Sequence, residues 1–386
     1  MLQKKYRAIG LMSGTSLDGL DIALCDFYFF NKNWSFKIEK GKTFDYSKYW
    51  KSQLENAPNL NGFELTALHV NFGKLIADRI LEFIDLQNEE IDLIASHGHT
   101  VFHNPSEGIN LQIGKAEVIA THTGITTISD FRSLDISLGG QGAPLVPIGD
   151  ELLFTKYDFC LNLGGFANIS FTKNNKRIAF DICPVNILIN HYVKKFKLNS
   201  IGYDKNGEIA QQGAVNNKLL LELNSIKFYK KLPPKSLGKE WLEKEVIPII
   251  NNFNLKTEDL LRTIYEHVAI QIFNVVKNNS GKSLLITGGG TYNNFLIKLI
   301  KQKIDSQKKK VEITIPNKEI IDFKEALIFA FLGVLKRRNE INCLASVTGA
   351  KHDNCGGKIV ELIEAPLYSH HPIIAFATKR GSGGKE

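Results

Sequence analysis

Residues 10–21 read Gly-Leu-Met-Ser-Gly-Thr-Ser-Leu-Asp-Gly-Leu-Asp, and the stretches that lead into and out of them, 6–11 and 22–30, are typical of β-strands. Glycine permits positive φ angles and lets the backbone approach a ligand closely. Backbone N–H groups and hydroxyls in such a turn can bind an anion, and carboxylates can bind the Mg²⁺ that accompanies it. The stretch therefore predicts a phosphate-binding hairpin. The alternative is an ordinary hairpin loop, since many of these are also rich in Gly, Ser and Asp.

The second half of the chain repeats this order of elements. Residues 159–163 are typical of a strand, 164–168 of a glycine turn, and 169–172 and 177–181 of two further strands. Glycine and proline cluster between the halves at 138–147, which favours a passage between domains there. Two such hairpins, one in each half, predict a nucleotide held in the cleft between two similar α/β domains.

Hydrophobic periodicity predicts the remaining elements. Helices are predicted at 64–86, 116–121, 186–196, within 239–279, and at 295–303 and 324–338. Strands are predicted at 34–40, 91–96, 111–113, 126–130, 284–286 and 311–315. We therefore expect a first α/β domain at 1–135, a second at 136–357 and a partly flexible C-terminal extension at 358–386.

The composition is that of a globular protein with room for two domains. The chain has 386 residues, 43% hydrophobic and 23% charged, and a single core seldom grows beyond about 250–300 residues. The net charge of +8 fits an anionic substrate. Because the lysines are scattered, and the dense run at 301–310 is typical of a solvated helix end or linker, we expect no nucleic-acid partner. Five cysteines without a CxxC pair favour neither a disulfide framework nor a zinc knuckle.

We expect no membrane segment in this chain. The N-terminal residues 1–7 run directly into the first predicted strand and leave no room for a signal peptide. The longest apolar run, at 326–335, is too short to cross a bilayer. The sequence therefore predicts a soluble, cytoplasmic protein.

Histidines cluster in the segment His97-Gly-His-Thr-Val-Phe-His103, and His122 follows in the next predicted helix or just beyond it. Where a strand passes into a loop, His97 and His99 would share one face, so the spacing permits a zinc site. No HExxH motif or carboxylate partner of the usual spacing accompanies them. Contact with a substrate and a packing role therefore remain the alternatives to metal binding.

A third glycine run, Thr287-Gly-Gly-Gly-Thr-Tyr-Asn293, lies between a predicted strand and a predicted helix. Three glycines there would let a base or ribose lie flat against the backbone. The N-terminus of the helix adds partial positive charge. The alternative is a tight turn from strand to helix.

Asp181 is the carboxylate that the sequence singles out for chemistry, because it ends a predicted strand. In open α/β sheets, ligands bind at the carboxyl ends of strands. Asp130 ends a strand in the same way, and Arg132 beside it could bind a substrate carboxylate with two hydrogen bonds. For both aspartates the alternative is a cap on the next helix. Glu325 lies on an apolar helix, either in its N-terminal turn or facing a site.

Twelve segments match a known family in collinear order across residues 6–357. They are GLMSGTSLDGLDIAL (10–24), SHGHTVFHNP (96–105), LQIG (111–114), DFR (130–132), GGQGAPLVP (139–147), LNLGGFANIS (161–170), FDICPVN (180–186), DKNGEIAQQG (204–213), PPKSLGKEW (233–241), TGGGTYN (287–293), EALIFAFLG (325–333) and SVTGA (346–350). On these segments the chain resembles the anhydro-N-acetylmuramic acid kinases of the sugar kinase/Hsp70/actin superfamily. It departs from them at Cys183, where a glycine is usual before the proline.

The resemblance implies an α/β fold of two similar domains of the sugar kinase/Hsp70/actin type, with the active site in the cleft between them. It implies that 1,6-anhydro-N-acetylmuramate, ATP and water give N-acetylmuramate 6-phosphate and ADP, in bacterial recycling of cell-wall sugars. ATP and Mg²⁺ are the implied cofactors, and a homodimer is compatible with the family.

The resemblance also assigns roles to individual residues. Asp181 is the implied general base for the attacking water, and Glu325 helps to orient that water. Asp18 and Asp21 would bind Mg²⁺, directly or through water. The implied ATP-binding residues are Gly14, Thr15, Ser16, Leu17, Asp18, Gly19, Leu20, Asp21, Gly164, Gly165, Asn168, Gly288, Gly289 and Gly290. The implied sugar-binding residues are His97, Thr100, Arg132, Gln141 and Asn186.

Two other functions stay open on the sequence. A kinase of the same superfamily that acts on an ordinary hexosamine needs a base for a hydroxyl but no hydrolytic water. A nucleotide-gated binding protein that closes without turnover would have no need of Asp18, Asp21, Asp181 and Glu325 together.

Overall fold

The computed structural model describes residues 3–14, 17–84, 90–307 and 310–362, which form two β-sheets and the helices that cover them. The strands are β1 (Lys4–Ser13), β2 (Gly19–Phe30), β3 (Asn33–Asp45), β4 (Leu93–Asn104), β5 (Ile109–Ile113), β6 (Thr127–Ser129), β7 (Phe159–Leu163), β8 (Phe166–Lys173), β9 (Lys176–Pro184), β10 (Ser283–Thr287), β11 (Glu312–Thr314) and β12 (Lys358–Val360). The helices are α1 (Lys48–Asn56), α2 (Gly62–Phe83), α3 (Ala116–Thr123), α4 (Ser133–Ser137), α5 (Pro147–Leu153), α6 (Asn186–Lys195), α7 (Asn217–Ser225), α8 (Lys239–Trp241), α9 (Ile247–Asn251), α10 (Thr257–Lys277), α11 (Asn294–Asp305), α12 (Lys318–Arg337) and α13 (Ala345–Thr348).

The two sheets have the same strand order. The first runs β3-β2-β1-β4-β6-β12, with β5 also paired to β4, and the second runs β9-β8-β7-β10-β11. In each sheet three strands form an antiparallel meander, and two further strands continue in parallel from its first strand. The structure therefore confirms the α/β fold and the repeated strand, glycine turn, strand order that the sequence predicts.

Helix α12 packs across β1, β2 and β4 of the first sheet and so comes close to the first hairpin. Asn317 caps the helix by accepting a hydrogen bond from the Ile320 N–H, so α12 begins at Lys318, earlier than predicted. A Cβ on Gly10 would lie 1.8 Å from the carbonyl oxygen of Ala326. Only glycine permits this close approach of β1 to the helix.

Two strands are longer than predicted, and both carry candidate residues. Strand β4 continues to Asn104, so the histidine segment lies on a strand paired with β5 instead of passing into a loop. Strand β9 continues to Pro184, so the prediction that Asp181 ends its strand is wrong. The reason is pairing with β8, which extends past Asp181 after a one-residue shift of register next to Asn168.

Other element boundaries also differ from the predicted ones. The helix predicted at 64–86 ends at Phe83, and residues 85–89 lie outside the described part of the chain. The helical region predicted within 239–279 is divided, because residues 252–256 separate the segment containing α8 and α9 from α10. Strand β8 begins at Phe166, so the second glycine turn is shorter than predicted and Asn168 lies on the strand.

The C-terminal elements return to the first sheet. Helix α12 packs on that sheet, and β12 pairs antiparallel with β6. The predicted boundaries at 136 and 357 would separate these elements from the sheet that they complete, and the division of the chain by residue number stays a prediction. Residues 363–386 lie outside the described chain. Within the described ranges, no helix combines the length and apolar character that a membrane span requires.

Candidate active site

A cavity of about 1080 Å³ lies between the two sheets. The residues assigned from the sequence that line it are Asp18, Asp21, Gln141, Gly164, Asn168, Asp181, Gly288, Gly289 and Glu325. The assigned residues that the structure describes elsewhere, outside the lining, are Gly14, Leu17, Gly19, Leu20, Gly165, Gly290, His97, Thr100, Arg132 and Asn186. The assigned residues Thr15 and Ser16 lie outside the described residues. The cavity thus brings together part of all three glycine segments and both candidate catalytic carboxylates.

A buried chain of polar side chains supports the start of the first hairpin. The Tyr46 hydroxyl donates to Ser13 Oγ at 2.7 Å, and Ser13 Oγ lies 3.0 Å from Nδ1 of His99. Burial lowers the pKa of His99 to about 4, so its ring stays neutral. The Leu17 N–H donates to the Gly14 carbonyl at 3.3 Å, and Leu17 has a φ of 59°. The backbone therefore turns back sharply just before the carboxylates of the hairpin.

Asp21 lies on the first strand after this turn and faces other carboxylates. Thr43 donates a hydrogen bond of 2.6 Å to Asp21 Oδ1. Burial raises the pKa of Asp21 to about 6, and the negative charges of Asp322 and Asp18 add to the shift. Among the described residues, no three His, Cys, Asp or Glu side chains are close enough to hold a metal ion together. A site here would therefore rely on water and phosphate oxygens for its other ligands, which is usual for Mg²⁺.

Asp181 reaches the cavity from the second sheet and is held by a loop that comes from a distant part of the chain. The Leu237 N–H donates to Asp181 Oδ2 at 2.8 Å, and the Asp181 N–H donates to the Lys235 carbonyl at 3.1 Å. Burial raises the pKa of the Asp181 carboxyl, and the bond from Leu237 opposes that shift. The cap on helix α6, Val185, has no side-chain hydrogen bond, so Asp181 does not cap the helix.

Cys183 is fully buried beneath this carboxylate. Burial raises the pKa of its thiol, so it behaves as a small apolar side chain. The departure from the usual glycine therefore leaves Asp181 in the strand and facing the cavity.

The second glycine turn consists of Gly164 and Gly165 and is used mainly to begin helix α6. The Gly165 carbonyl accepts hydrogen bonds from the N–H groups of Val185 and Ile187, at 2.8 and 3.2 Å. The Gly164 carbonyl accepts one from the Asn186 N–H at 3.3 Å. The turn thus links the β7–β8 hairpin to the residues that follow Asp181, and Gly164 faces the cavity.

Glu325 reaches the cavity from α12 and is exposed to its solvent. Burial among protein groups raises the pKa of its carboxyl, the negative charge of Asp21 adds to this, and the positive charges of Lys324 and Arg132 oppose it. Glu325 and Asp21 thus act on one another electrostatically, although they belong to different elements. A water or a phosphate between them would lie in a strongly negative region unless a cation is also present.

A buried charge cluster, formed by Asp150, Ser170, Arg177 and Lys324, lies beside Glu325. Lys324 Nζ is 2.7 Å from Asp150 Oδ1, the Ser170 hydroxyl donates to Asp150 Oδ2 at 2.5 Å, and Arg177 donates to Ser170 Oγ at 2.6 Å. The cluster joins α5, β8, β9 and α12, and so connects the helix that carries Glu325 to the second sheet. Removing one partner of such a buried pair is costly, about 3–5 kcal/mol.

The third glycine run passes from β10 into a short 3₁₀ turn, Gly289–Tyr292, before α11 begins. Gly288 has a φ of 86°, and a Cβ there would lie 2.4 Å from Asn162 Oδ1. A Cβ on Gly289 would meet no atom within 4 Å, so the space beside it is open. The run therefore combines a turn that requires glycine with an open face on the cavity, as the adenosine prediction needs.

His97 and Arg132 contact each other. Arg132 donates from Nε and Nη2 to His97 Nε2, at 3.1 and 2.8 Å, and from Nη1 to the Gly142 carbonyl at 2.7 Å. His97 lines a separate, smaller cavity of about 300 Å³ beside the middle of β4 and the end of β6. Thr100 accepts a hydrogen bond of 3.3 Å from Gln112 on the neighbouring strand β5. Arg132 thus links His97 on β4 to Gly142, which follows Gln141, while Asn186 lies at the start of α6.

The other histidines of the cluster have separate environments. Ser13 contacts His99, and His103 Nδ1 lies 3.4 Å from the Asn110 side chain. His122 lies on α3 and contacts the Val118 carbonyl through Nδ1. Asp130 accepts hydrogen bonds from the Ser133 N–H and hydroxyl at the start of α4, as in the capping alternative.

Three parts of the site receive no role in the sequence analysis: Asp322, the pair of Asp150 with Lys324, and the loop at 235–237. Asp322 carries a weak signal, since it lies one helical turn before Glu325 on the same helix and therefore on the same face. The loop belongs to the matching segment 233–241, but nothing in that segment points to Asp181, 56 positions before Leu237. Nothing near Asp150 indicates Lys324, which lies 174 positions away.

Comparison with solved structures finds distant likenesses. The activator of 2-hydroxyisocaproyl-CoA dehydratase from Clostridium difficile, with bound ADPNP, has a TM-score of 0.40 at 14% identity, covering 86% of this chain and 97% of that chain. A ROK family glucokinase from Streptomyces griseus, in complex with glucose and AMPPNP, has a TM-score of 0.39 at 10% identity, covering 84% and 98%.

The likeness to proteins of known sequence is much stronger. A model of the anhydro-N-acetylmuramic acid kinase family matches residues 6–361. The anhydro-N-acetylmuramic acid kinase of Sulfurimonas denitrificans is 32% identical over 374 residues, covering 92% of this chain and 99% of that protein. That of Bacillus cereus is 33% identical over 375 residues, covering 91% and 98%. The chain therefore belongs to the anhydro-N-acetylmuramic acid kinase family.

Proposed function

We propose that this kinase opens 1,6-anhydro-N-acetylmuramic acid with water and transfers the γ-phosphoryl group of ATP to O6, giving N-acetylmuramate 6-phosphate and ADP. The observation that carries the proposal is one cavity that Asp181 enters from the second sheet and Glu325 from a helix on the first. Parts of all three glycine segments line the same cavity. The candidate base and the candidate ATP-binding segments thus share one space, which supports the proposal.

Asp181 acts as the general base in this proposal. Oδ2 is fixed by the Leu237 N–H, so the carboxylate has a defined direction. Burial raises its pKa, and a base whose pKa lies nearer the working pH is a stronger proton acceptor. Water gives its proton to Asp181 as its oxygen bonds to the anomeric carbon. The bond from that carbon to O6 breaks, and O6 becomes the nucleophile toward phosphorus.

Glu325 orients the attacking water, since its carboxylate is accessible from the cavity. Asp18 and Asp21 bind Mg²⁺, directly or through water, and Asp322 adds negative charge beside them. Clustered carboxylates whose charge raises the pKa of Asp21 fit a divalent cation, which would neutralise them. When bound, Mg²⁺ supplies charge stabilisation of the transferring phosphoryl group.

ATP binds along the three glycine segments. The hairpin formed by Gly14 to Asp21, including Gly19 and Leu20, and the turn with Gly164, Gly165 and Asn168 hold the phosphates. Gly288, Gly289 and Gly290 hold the adenosine. Support comes from the open face at Gly289 and from Gly288, which has a positive φ and lines the cavity.

The sugar is held by residues around β4 and the neighbouring loops. Arg132 binds the lactyl carboxylate, and Thr100, Gln141 and Asn186 bind hydroxyl and acetamido groups. Gln141 lines the main cavity and is exposed to it. The use of ATP favours a cytoplasmic location, and a homodimer stays a prediction.

The experiment supplies the purified chain with ATP and Mg²⁺ and either 1,6-anhydro-N-acetylmuramate or N-acetylmuramate. We expect ADP and a sugar 6-phosphate from the anhydro-sugar and little product from the other. Efficient use of N-acetylmuramate instead would indicate a hexosamine kinase without the hydrolytic step. Tight binding of ATP and sugar without any ADP would indicate a binding protein that closes without turnover.

A further inference from the structure

The imidazole of His97 has one tautomer, and its hydrogen bonds define it. Nδ1 lies 2.9 Å from the carbonyl oxygen of Gly98. A carbonyl oxygen only accepts, so Nδ1 carries the proton and Nε2 is left with its lone pair. That lone pair accepts from Nε and Nη2 of Arg132. Both ring nitrogens are therefore engaged within the protein, and neither is free to contact a substrate.

The ring is held in this position by burial and packing. His97 is buried on β4, and its ring centroid lies 4.6 Å from that of Phe329, four residues after Glu325 on α12. Burial and the positive charge of Arg132 lower the pKa of His97 to about 3. If Nε2 were protonated, its N–H would point at the two N–H groups of Arg132, which are also donors and carry positive charge. This arrangement is unfavourable, so Nε2 stays unprotonated. His97 is thus a neutral acceptor throughout the physiological range of pH.

Arg132 keeps its charge in this arrangement. Three of its five N–H donors are used, two by His97 and one by the Gly142 carbonyl, and both partners are neutral. Among the residues that the structure describes, none offers a carboxylate within ion-pair distance of this guanidinium. Glu325 acts on this guanidinium through its charge but makes no ion pair with it, and a buried cation that lacks such a pair is costly unless a ligand supplies one. The two remaining donors match the two oxygens of a carboxylate.

We infer that His97 is a positioning residue, which orients Arg132 through a neutral acceptor so that the guanidinium retains its full charge and two N–H groups for the carboxylate of an anhydro-sugar. The inference rests on the proposed function. It replaces the prediction that His97 itself binds the sugar. It also explains why an imidazole suits this position, since an Asp or Glu there would hold Arg132 equally well but would neutralise it.

The test measures affinity by calorimetry without ATP, for two ligands. One is 1,6-anhydro-N-acetylmuramate, and the other is 1,6-anhydro-N-acetylglucosamine, which has the same bicyclic ring and acetamido group but no lactyl carboxylate. We expect wild type to prefer the first. His97→Phe keeps an aromatic ring against Phe329 but removes the acceptor, and should weaken binding of the first ligand about tenfold or more while changing the second less than about twofold.

Conservative and control variants isolate the hydrogen bonds. His97→Gln supplies an uncharged acceptor and should restore the preference to within about threefold of wild type. His122→Gln, on the exposed face of α3, should leave both affinities unchanged. In an Arg132→Gln background, adding His97→Phe should have no further effect on the preference, since the two residues act as one unit.

Three results would overturn the inference: no preference in wild type, equal loss for both ligands in His97→Phe, or His97→Gln behaving like His97→Phe. If His97→Phe does not fold, His97→Leu takes its place, because it also removes the acceptor and makes the same prediction for the two ligands. A wild type that binds the carboxylate sugar but forms no ADP would instead contradict the proposed function, and the affinity ratios would still be measured.

Discussion

The hairpins β1–β2 and β7–β8 open their sheets in the same topological position but carry different chemistry. The first turn spans residues 14–18 and is followed by a strand with Asp21, whose pKa is raised to about 6 by burial and by neighbouring carboxylates. The second turn is only Gly164 and Gly165, and their carbonyls serve the start of α6. The two halves therefore share a fold but not a role for the turn. The first hairpin carries carboxylates, whereas the second positions the start of helix α6.

The difference extends to how each half holds its carboxylate. In the first half burial raises the pKa of Asp21 to about 6, and the negative charges of Asp322 and Asp18 add to the shift, so a bound cation would lower that pKa. In the second half burial also raises the pKa of Asp181, but a backbone N–H from a distant loop opposes the shift. A carboxylate among like charges suits a cation that accompanies phosphate, and a carboxylate oriented by a backbone N–H suits a general base. Three substitutions and one change of pH test this contrast, with expected effects that decrease in that order.

Asp181→Asn should lower kcat with the anhydro-sugar by about 10²–10⁴-fold, because the amide cannot accept a proton from water. The KM for ATP should change little, since the phosphates are assigned to other residues. Steady-state assays of ADP release measure both constants. Asp305→Asn, an exposed carboxylate on α11, is the matched control. Near wild-type turnover of Asp181→Asn would show that the base lies elsewhere.

Asp21→Asn should raise the Mg²⁺ concentration needed for half-maximal activity by about 10–100-fold, because a carboxylate ligand is lost. Asp181→Asn should leave this concentration unchanged in its residual activity. Titration of each variant with Mg²⁺ at saturating ATP and sugar makes the comparison. Equal Mg²⁺ dependence in Asp21→Asn and wild type would remove Asp21 from the cation site.

Leu237→Pro removes the N–H that donates to Asp181, while Leu237→Ala retains it. This hydrogen bond lowers the pKa of Asp181, so its loss should raise that pKa and move the acidic limb of the kcat profile to higher pH by about one unit. Activity at pH 6 should therefore fall more than activity at pH 8. A profile that shifts equally in Leu237→Ala would mean that the side chain, and not the N–H, sets the position of the limb.

Ionisation of Asp21 should make the apo-protein less stable as pH rises from about 4 to about 6. The pKa of Asp21 is raised from 3.8 to about 6 on folding, so the folded state binds the proton more tightly than the unfolded state across this range. Its contribution is present at low pH and is lost as the carboxyl ionises, by on the order of 1–2 kcal/mol. Burial raises the pKa of Asp181 and Glu325 too, so thermal unfolding in EDTA should show a loss that is larger in wild type than in Asp21→Asn by this amount, and Mg²⁺ should reduce the difference. The same pH slope in both proteins would contradict the burial argument.

The sequence predicts the fold and much of the site because local signals carry them. Strand-like runs on both sides of a glycine turn, in the first half at 6–30 and in the second at 159–172, identify the repeat. Glu325 stands out as a carboxylate on an apolar helix, although the sequence leaves open whether it lies in the first turn or faces a site. Each of these signals lies within one or two neighbouring elements, and so it is visible in the amino-acid sequence.

The parts that the sequence does not reveal depend on contacts between distant residues. Asp181 was predicted at the end of a strand, but pairing with β8 extends β9 beyond it. The pairing of Lys324 with Asp150 could not be predicted either, since nothing near either residue indicates the other. His97 was predicted to touch the sugar, and its role depends on a tautomer that only the positions of Gly98 and Arg132 define.

The central claim is that water attacks the anomeric carbon and that the freed O6 takes the phosphoryl group in the same turnover. Its most direct test is a reaction with ATP and 1,6-anhydro-N-acetylmuramate in ¹⁸O-labelled water, quenched rapidly and analysed by mass spectrometry. Unlabelled product, held in the labelled water for the same time, corrects for exchange at the anomeric centre. We predict one ¹⁸O atom at the anomeric carbon and none in the phosphate group. A product without label at that carbon, or with label in its phosphate group, would contradict the account.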